Sequence, residues 1–182
     1  FVGHIRAEAQ RLVTLIGDII RLSQLDEGEP MPTEPVELLA VAREVAENLR
    51  SAAETRNVTV EVTGTPATVS GVRRLLYEIV LNLCDNAIKY NTEGGRVEVE
   101  VAQDGGTAAV TVRDTGIGIP PEHQSRVFER FYRVDKSHSK VSGGTGLGLS
   151  IVKHAVQYHH GVIQLKSEVG KGTEIRVTFP AA

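Results

Sequence analysis

From His4 to Leu25, apolar residues recur at helical spacing: Ile5, Leu12, Leu15, Ile16, Ile19, Ile20, Leu22 and Leu25. Arg6, Glu8, Arg11, Asp18 and Arg21 take the outward positions. A helix with such a stripe is not stable alone and needs a tertiary partner. The pattern predicts one arm of a helical hairpin or dimeric bundle, with the other arm missing or supplied by another chain. The simpler alternative is a helix packed on its own domain. Gly28, Pro30 and Pro32 then break the periodicity and mark a linker.

Helical spacing returns from Val36 to about Arg56 through Leu38, Leu39, Val41, Val45 and Leu49. Val58–Val62 alternates as a strand does, and Ala67–Ser70 is expected to pair beside it. Val72–Tyr90 reads as a long helix that buries Leu75, Leu76, Ile79, Val80 and Leu83. Arg96–Ala102 and Thr107–Arg113 flank Asp104-Gly105-Gly106 and predict a hairpin. Leu147–His159 is helical, and Val162–Ser167 with Thr173–Phe179 forms a second hairpin around Val169-Gly170-Lys171-Gly172. Strands mixed among helices, without a repeated βαβ unit, specify an α+β fold: a layer of helices on a mainly antiparallel sheet.

Composition narrows the function. The chain has 182 residues, 41% hydrophobic and 24% charged, enough for one soluble domain plus an appendage. A net charge of −3 gives no reason to expect nucleic acid. No apolar run reaches membrane-spanning length, and the first residues do not form a signal peptide, so this segment is expected to make no direct membrane contact. The single Cys84 excludes an internal disulfide, fits a reducing compartment and reads as a buried core thiol. The chain opens inside a helical pattern without methionine, as expected of a piece of something longer.

Three islands of small and polar residues carry chemistry that a core does not need. Asn82 and Asn86 stand at i and i+4, so their amides share one helix face, with Lys89 and Tyr90 a turn on. Asparagine oxygens are neutral hard ligands suited to Mg²⁺; capping or solvent-facing asparagines are the alternative. Asp114 ends an alternating run and opens Thr115-Gly116-Ile117-Gly118-Ile119-Pro120. A carboxylate there can accept from an exocyclic amine such as that of adenine, while glycines let backbone approach a flat base. An ordinary turn is the plainer reading. Gly144-Thr145-Gly146-Leu147-Gly148-Leu149 runs into a helix whose N-terminus would aim free N–H groups at phosphate; a hinge is the alternative. It lacks the strand of a dinucleotide fingerprint and the Gly-Lys-Ser/Thr ending of a phosphate loop. Between the second and third islands, Phe128, Phe131 and Tyr132 can anchor one end of a lid, with Lys136, His138 and Lys140 in reach of phosphates; a surface loop is the alternative.

Together these residues resemble the catalytic ATP-binding domain of bacterial sensor histidine kinases, in the wider family of gyrase, Hsp90 and MutL. The matching boxes, in family order, are Asn82-Leu83-Cys84-Asp85-Asn86-Ala87-Ile88-Lys89-Tyr90, then Asp114-Thr115-Gly116-Ile117-Gly118-Ile119-Pro120. Phe128-Glu129-Arg130-Phe131-Tyr132-Arg133, Gly144–Leu149 and Gly170-Lys171-Gly172-Thr173 complete the set, and the likeness spans about residues 34 to 180. It implies a two-layer sandwich of about five strands backed by three helices, holding ATP and Mg²⁺ under a mobile lid. By resemblance Asp114 binds the adenine amine, with Thr173 helping around the base, and Gly116, Ile117, Gly118 and Ile119 border it. Asn86 resembles the metal ligand, with Asn82 beside it on metal or phosphate. Lys89, Tyr90, Tyr132, Arg133 and Lys136 approach ribose and phosphates, and Gly144, Thr145, Gly146, Leu147, Gly148 and Leu149 cover the triphosphate.

One position separates classes within that resemblance. Hydrolysing relatives carry a Glu one turn before the metal-binding Asn to activate water. Here that place is Asn82, which is no general base at neutral pH. A domain that binds ATP and Mg²⁺ without that base is expected to pass the γ-phosphate to an external acceptor, and the resemblance implies a histidine as that acceptor, for relay to the receiver domain of a response regulator. An ATP-hydrolysing enzyme or a nucleotide-regulated interaction module is the alternative. Residues 1–27 resemble the second helix of the dimerisation hairpin, 28–33 the linker and 34–182 the kinase domain. The phosphoacceptor belongs on the first helix in an H-E-x-x-T/N-P setting, which no histidine of this chain has, His4 included. The resemblance implies a homodimer through the hairpin in the full-length protein and a cytoplasmic position, in a parent either free or anchored in the cell membrane. Val72 departs from the Asp or Asn that the family often has after Gly71, with little effect expected.

Overall fold

The computed structural model describes residues 2–28, 30–134 and 144–182. The first stripe forms α1 over Val2–Glu27, and its apolar residues divide between two surroundings. Leu22 packs with Leu147 and Ile151, with Leu15 against them, while Leu25 joins the main core. Ile5, Leu12, Val13, Ile16, Ile19 and Ile20 stay exposed. Asp18 corrects its outward assignment: it is buried, because the helix docks on the domain along that side.

The expected single helix over 36–56 is three elements: β1 (Glu34–Glu37), α2 (Leu38–Asn48) and α3 (Arg50–Thr55). Glu37 ends the strand and starts the helix, its carboxylate accepting the N–H groups of Leu39 at 2.7 Å and Ala40 at 2.8 Å. At Leu49 the backbone leaves helical geometry (φ −93, ψ 0), which separates α2 from α3. The second correction concerns pairing. β2 (Thr59–Gly64) and β3 (Thr68–Gly71) are not partners; β3 pairs antiparallel with β1, and β2 runs parallel to a later strand. Glu37 again decides this, since its carboxylate also accepts the Ala67 N–H (3.3 Å) and the next residue, Leu38, donates to the Ala67 carbonyl (2.8 Å).

The helix α4 (Arg73–Lys89) follows Val72, which has no capping side chain. The Val72 N–H is satisfied instead by buried His159, whose Nε2 accepts it at 3.0 Å while Nδ1 donates to the Ala155 carbonyl at 2.7 Å. That pattern needs a neutral imidazole, and burial lowers its pKa accordingly. The remaining elements are β4 (Arg96–Asp104), β5 (Thr107–Asp114), the short α5 (Pro121–Gln124), α6 (Gly148–Tyr158), β6 (Val162–Glu168) and β7 (Gly172–Pro180).

The main sheet has the order β2-β4-β5-β7-β6, antiparallel except for β2 with β4. This is the expected mixed five-stranded sheet backed by helices. Residues of α2, α4 and α6 pack on it in one core that contains Leu38, Leu76, Ile79, Val80, Val110, Val152, Val177 and Phe179. Cys84 is fully buried there, and burial raises its thiol pKa to about 12, so it is an inert core group. On the outer face Arg113 spans β4, β5 and β7, donating to Glu174 and Glu100 at 2.6 Å each, and so braces the strand end that carries Asp114.

Candidate nucleotide site

Helix α4 presents the amide pair. Asn82 donates from Nδ2 to the Glu78 carbonyl at 2.8 Å, which leaves its Oδ1 to face α6. That oxygen lies 2.9 Å from where a Cβ on Gly148 would stand, so a glycine is what lets the two helices meet so closely here. Asn86 is half-buried, and its side chain forms no hydrogen bond among the described residues, which keeps its amide available. Lys89 pairs with Asp85 at 2.6 Å one turn back, and Tyr90 is exposed at the helix end.

The carboxylate comes from the register of β5 with β7, which places Asp114 opposite Thr173. Asp114 Oδ1 accepts the N–H of Gly116 at 2.8 Å and of Thr173 at 3.3 Å. Burial nonetheless raises its pKa, against the lowering effect of those two N–H groups. Gly172 has φ +121, and a Cβ there would sit 1.9 Å from the Asp114 carbonyl oxygen. The two strands therefore close on each other only with glycine at 172.

The glycine loop is tied to the aromatic box. Phe131, at φ 63, donates its N–H to the Gly146 carbonyl (2.9 Å), and Arg133 Nη1 donates to the Gly144 carbonyl (2.6 Å). The Tyr90 hydroxyl and the Arg133 guanidinium both border Gly144. Among the described residues no backbone hydrogen bond engages the N–H groups of Gly146 or Gly148, so they remain for an anion at the start of α6. Tyr132 is turned toward α5, its hydroxyl bonded to His123 Nδ1 and its ring 4.4 Å from the Arg126 guanidinium. Lys136, His138 and Lys140 lie outside the described residues.

Sequence reasoning missed two supports of the first glycine loop. Ser167 Oγ accepts the Ile119 N–H at 2.8 Å and bonds Thr173 Oγ1 at 2.8 Å. Gln124 Nε2 donates to the carbonyls of Ile119 (2.8 Å) and Ser167 (3.0 Å). Ser167 faces Thr173 in the β6–β7 register, a signal visible only once that hairpin is aligned.

An amide pair on one helix, a carboxylate at a strand end and a glycine loop opening a third element converge on one side of this sandwich. With this fold, the family match sets the chain in the ATP-binding class of kinases and ATPases. The chain belongs to the histidine kinase-, DNA gyrase B-, and HSP90-like ATPase family, whose family model matches residues 71–182, and within it to the sensor histidine kinases. It is 38% identical over 182 residues to the sensor-like histidine kinase SenX3 of Mycolicibacterium smegmatis, covering 99% of this chain and 47% of that protein. Among solved structures, the mycobacterial sensor histidine kinase MprB is 37% identical with a TM-score of 0.73, covering 82% of this chain and 98% of that one. Full-length ShkA in complex with AMPPNP is 29% identical with a TM-score of 0.86, covering all of this chain (100%) and 38% of that one. The chain spans less than half the length of the curated relatives it matches.

Proposed function

We propose that this chain is the phosphoryl-donor part of a sensor histidine kinase: it binds ATP with Mg²⁺ and passes the γ-phosphoryl group to a histidine outside residues 1–182. In that step the bond from the γ-phosphorus to the β–γ bridging oxygen breaks, a histidine nitrogen bonds the phosphorus, and ADP leaves. Asn82 carries the reading. It stands where hydrolysing relatives hold a general base, and its amide is fixed by the Glu78 carbonyl. An amide there positions the phosphates without activating water, and phosphoryl transfer depends mainly on positioning and charge stabilisation.

The residue roles follow. Asp114 accepts the adenine amine, with Thr173 beside it and the backbone of Gly116–Ile119 along the base. Lys89, Tyr90, Tyr132, Arg133 and Lys136 serve ribose and phosphates, and the Gly144–Leu149 backbone covers the triphosphate. Asn86, free of hydrogen bonds among the described residues, fits a hard metal, with Asn82 as its neighbour. When bound, Mg²⁺ supplies charge neutralisation at the phosphates. The AMPPNP in the ShkA structure supports an adenine nucleotide as the guest.

Residues 1–27 serve as the second helix of a dimerisation hairpin, 28–33 as its linker and 34–182 as the kinase domain. The exposed Ile5, Leu12, Val13, Ile16, Ile19 and Ile20 support a homodimer formed along that helix in the full-length protein. The phosphorylated histidine then serves the receiver domain of a response regulator. Kinship to sensor histidine kinases supports a place for this domain on the cytoplasmic side of its parent. No helix among the described residues is long and apolar enough to cross a membrane.

Titration with ATP at increasing Mg²⁺ tests the assignment. Affinity is expected to rise with Mg²⁺, and Asn86→Asp, which puts a charge in place of a neutral ligand, to shift the Mg²⁺ midpoint by about threefold or more. An unchanged midpoint would remove Asn86 from the metal.

A further inference from the structure

Helix α1 meets the glycine loop through buried charge. Asp18 is 8% exposed, and its Oδ2 accepts the Thr145 hydroxyl at 2.8 Å. Arg21 lies 3.2 Å from Asp18 through Nη1 and 3.0 Å from Glu78 Oε1 through Nε. Glu78 is 7% exposed, its Oε2 has no hydrogen-bond partner among the described residues, and Arg74 stands 3.9 Å from its other oxygen. Burial raises the Glu78 pKa, opposed by Arg21 and Arg74. Two buried carboxylates thus share Arg21 where α1, α4 and the glycine loop meet.

Adhesion does not require them. Leu15, Leu22, Leu147 and Ile151 already form an apolar contact beside the seam. Buried ion pairs add little net stability over such a contact, and their best-attested use is to select one relative placement. What they place here is informative. Thr145 stands between Gly144 and Gly146, where the backbone has most freedom to lose. Its hydroxyl also accepts the Leu147 N–H at 3.3 Å, so one oxygen joins α1 to the entrance of α6. Glu78, held by Arg21, offers the carbonyl that orients Asn82.

We infer that Asp18 is a positioning residue of the nucleotide site: through the Thr145 hydroxyl it holds the glycine loop in its nucleotide-receiving shape, so that α1 docking and nucleotide binding strengthen each other. The inference rests on the nucleotide reading above. A loop anchored before the triphosphate arrives loses less freedom on binding, which raises affinity. By linkage, whatever docked α1 adds to nucleotide affinity, nucleotide adds to the docking of α1. The hairpin helix then senses whether the site is filled.

The test compares ATP binding at saturating Mg²⁺ in the unaltered chain, Asp18→Ala, Thr145→Val, their double variant and Thr145→Ser. Hydrogen exchange of the α1 amides around Asp18 is followed with and without ATP. Thr145→Val keeps the volume and removes the hydroxyl, and among the described residues α1 gives only Leu25 to the main core, so the variants are expected to fold. Each single variant is expected to bind about fivefold more weakly or worse. The loss in the double is expected to fall well short of the sum of the two single losses, since both variants remove the Asp18–Thr145 bond. Thr145→Ser keeps the hydroxyl and should recover most of the affinity that Thr145→Val loses. ATP should protect α1 in the unaltered chain and not in Asp18→Ala. Equal affinities with unchanged α1 protection would overturn the inference and leave the nucleotide reading standing. Tighter binding by Asp18→Ala would overturn it too, showing that α1 restrains the loop. No ATP binding by the unaltered chain would overturn both.

Discussion

Gly172→Ala is expected to lower stability by about 3 kcal/mol or more and to abolish nucleotide binding. Two terms add. At φ +121 an L-residue is strained by roughly 1–3 kcal/mol. The added Cβ would also stand 1.9 Å from the Asp114 carbonyl oxygen, 2.8 Å from its carbonyl carbon and 3.1 Å from the Gly116 nitrogen. All three are backbone atoms, so β5 and β7 must part, at a cost of about 1–3 kcal/mol for an overpacked contact. The strand that yields is the one that aims Asp114. Gly170→Ala is the control: φ there is +80, but nothing lies within 4 Å of its Cβ, so only about 1 kcal/mol is at risk. Urea unfolding midpoints of both variants, with an ATP titration of each, check this. Equal midpoints for the two would show that the β5–β7 closure is not as tight as described.

Asp114→Ala is expected to weaken ATP binding by about 2–3 kcal/mol, the range of a hydrogen bond to a charged group. Asp114 holds the N–H groups of Gly116 and Thr173 with one oxygen, so its loss frees the loop and also removes the carboxylate proposed to accept the adenine amine. Asp114→Asn separates the two effects. It keeps the shape and an acceptor oxygen, removes the charge, and should cost at least ~1 kcal/mol. Calorimetric ATP titration reads both variants. Unchanged affinity in Asp114→Asn removes the adenine assignment.

Much of the site is readable before the fold is known, because its residues are local. The Asn82–Asn86 pair needs only helical spacing, and the turn at Gly105-Gly106 sets the register that ends β5 at Asp114. What escapes is set by contacts distant in sequence. Glu37 looks like a surface acid in an amphipathic run, yet its carboxylate caps α2 and draws Ala67 toward β1. Asp18 sits on the polar side of its helix by periodicity, yet the partner that buries it is Thr145. Ser167 occupies an ordinary strand position and gains its role only from Ile119 and Thr173. Polar residues that act by satisfying remote backbone groups leave no periodic trace.

A phosphoryl donor and an ATPase differ in the fate of the γ-phosphate. Measuring ATP binding and phosphate release together on this chain at millimolar Mg²⁺ separates the donor role proposed above from hydrolysis. A donor shows saturable binding with phosphate release near background, and release stays at background in Asn82→Ala whatever that variant does to affinity. Steady phosphate release that disappears in Asn82→Ala would contradict it.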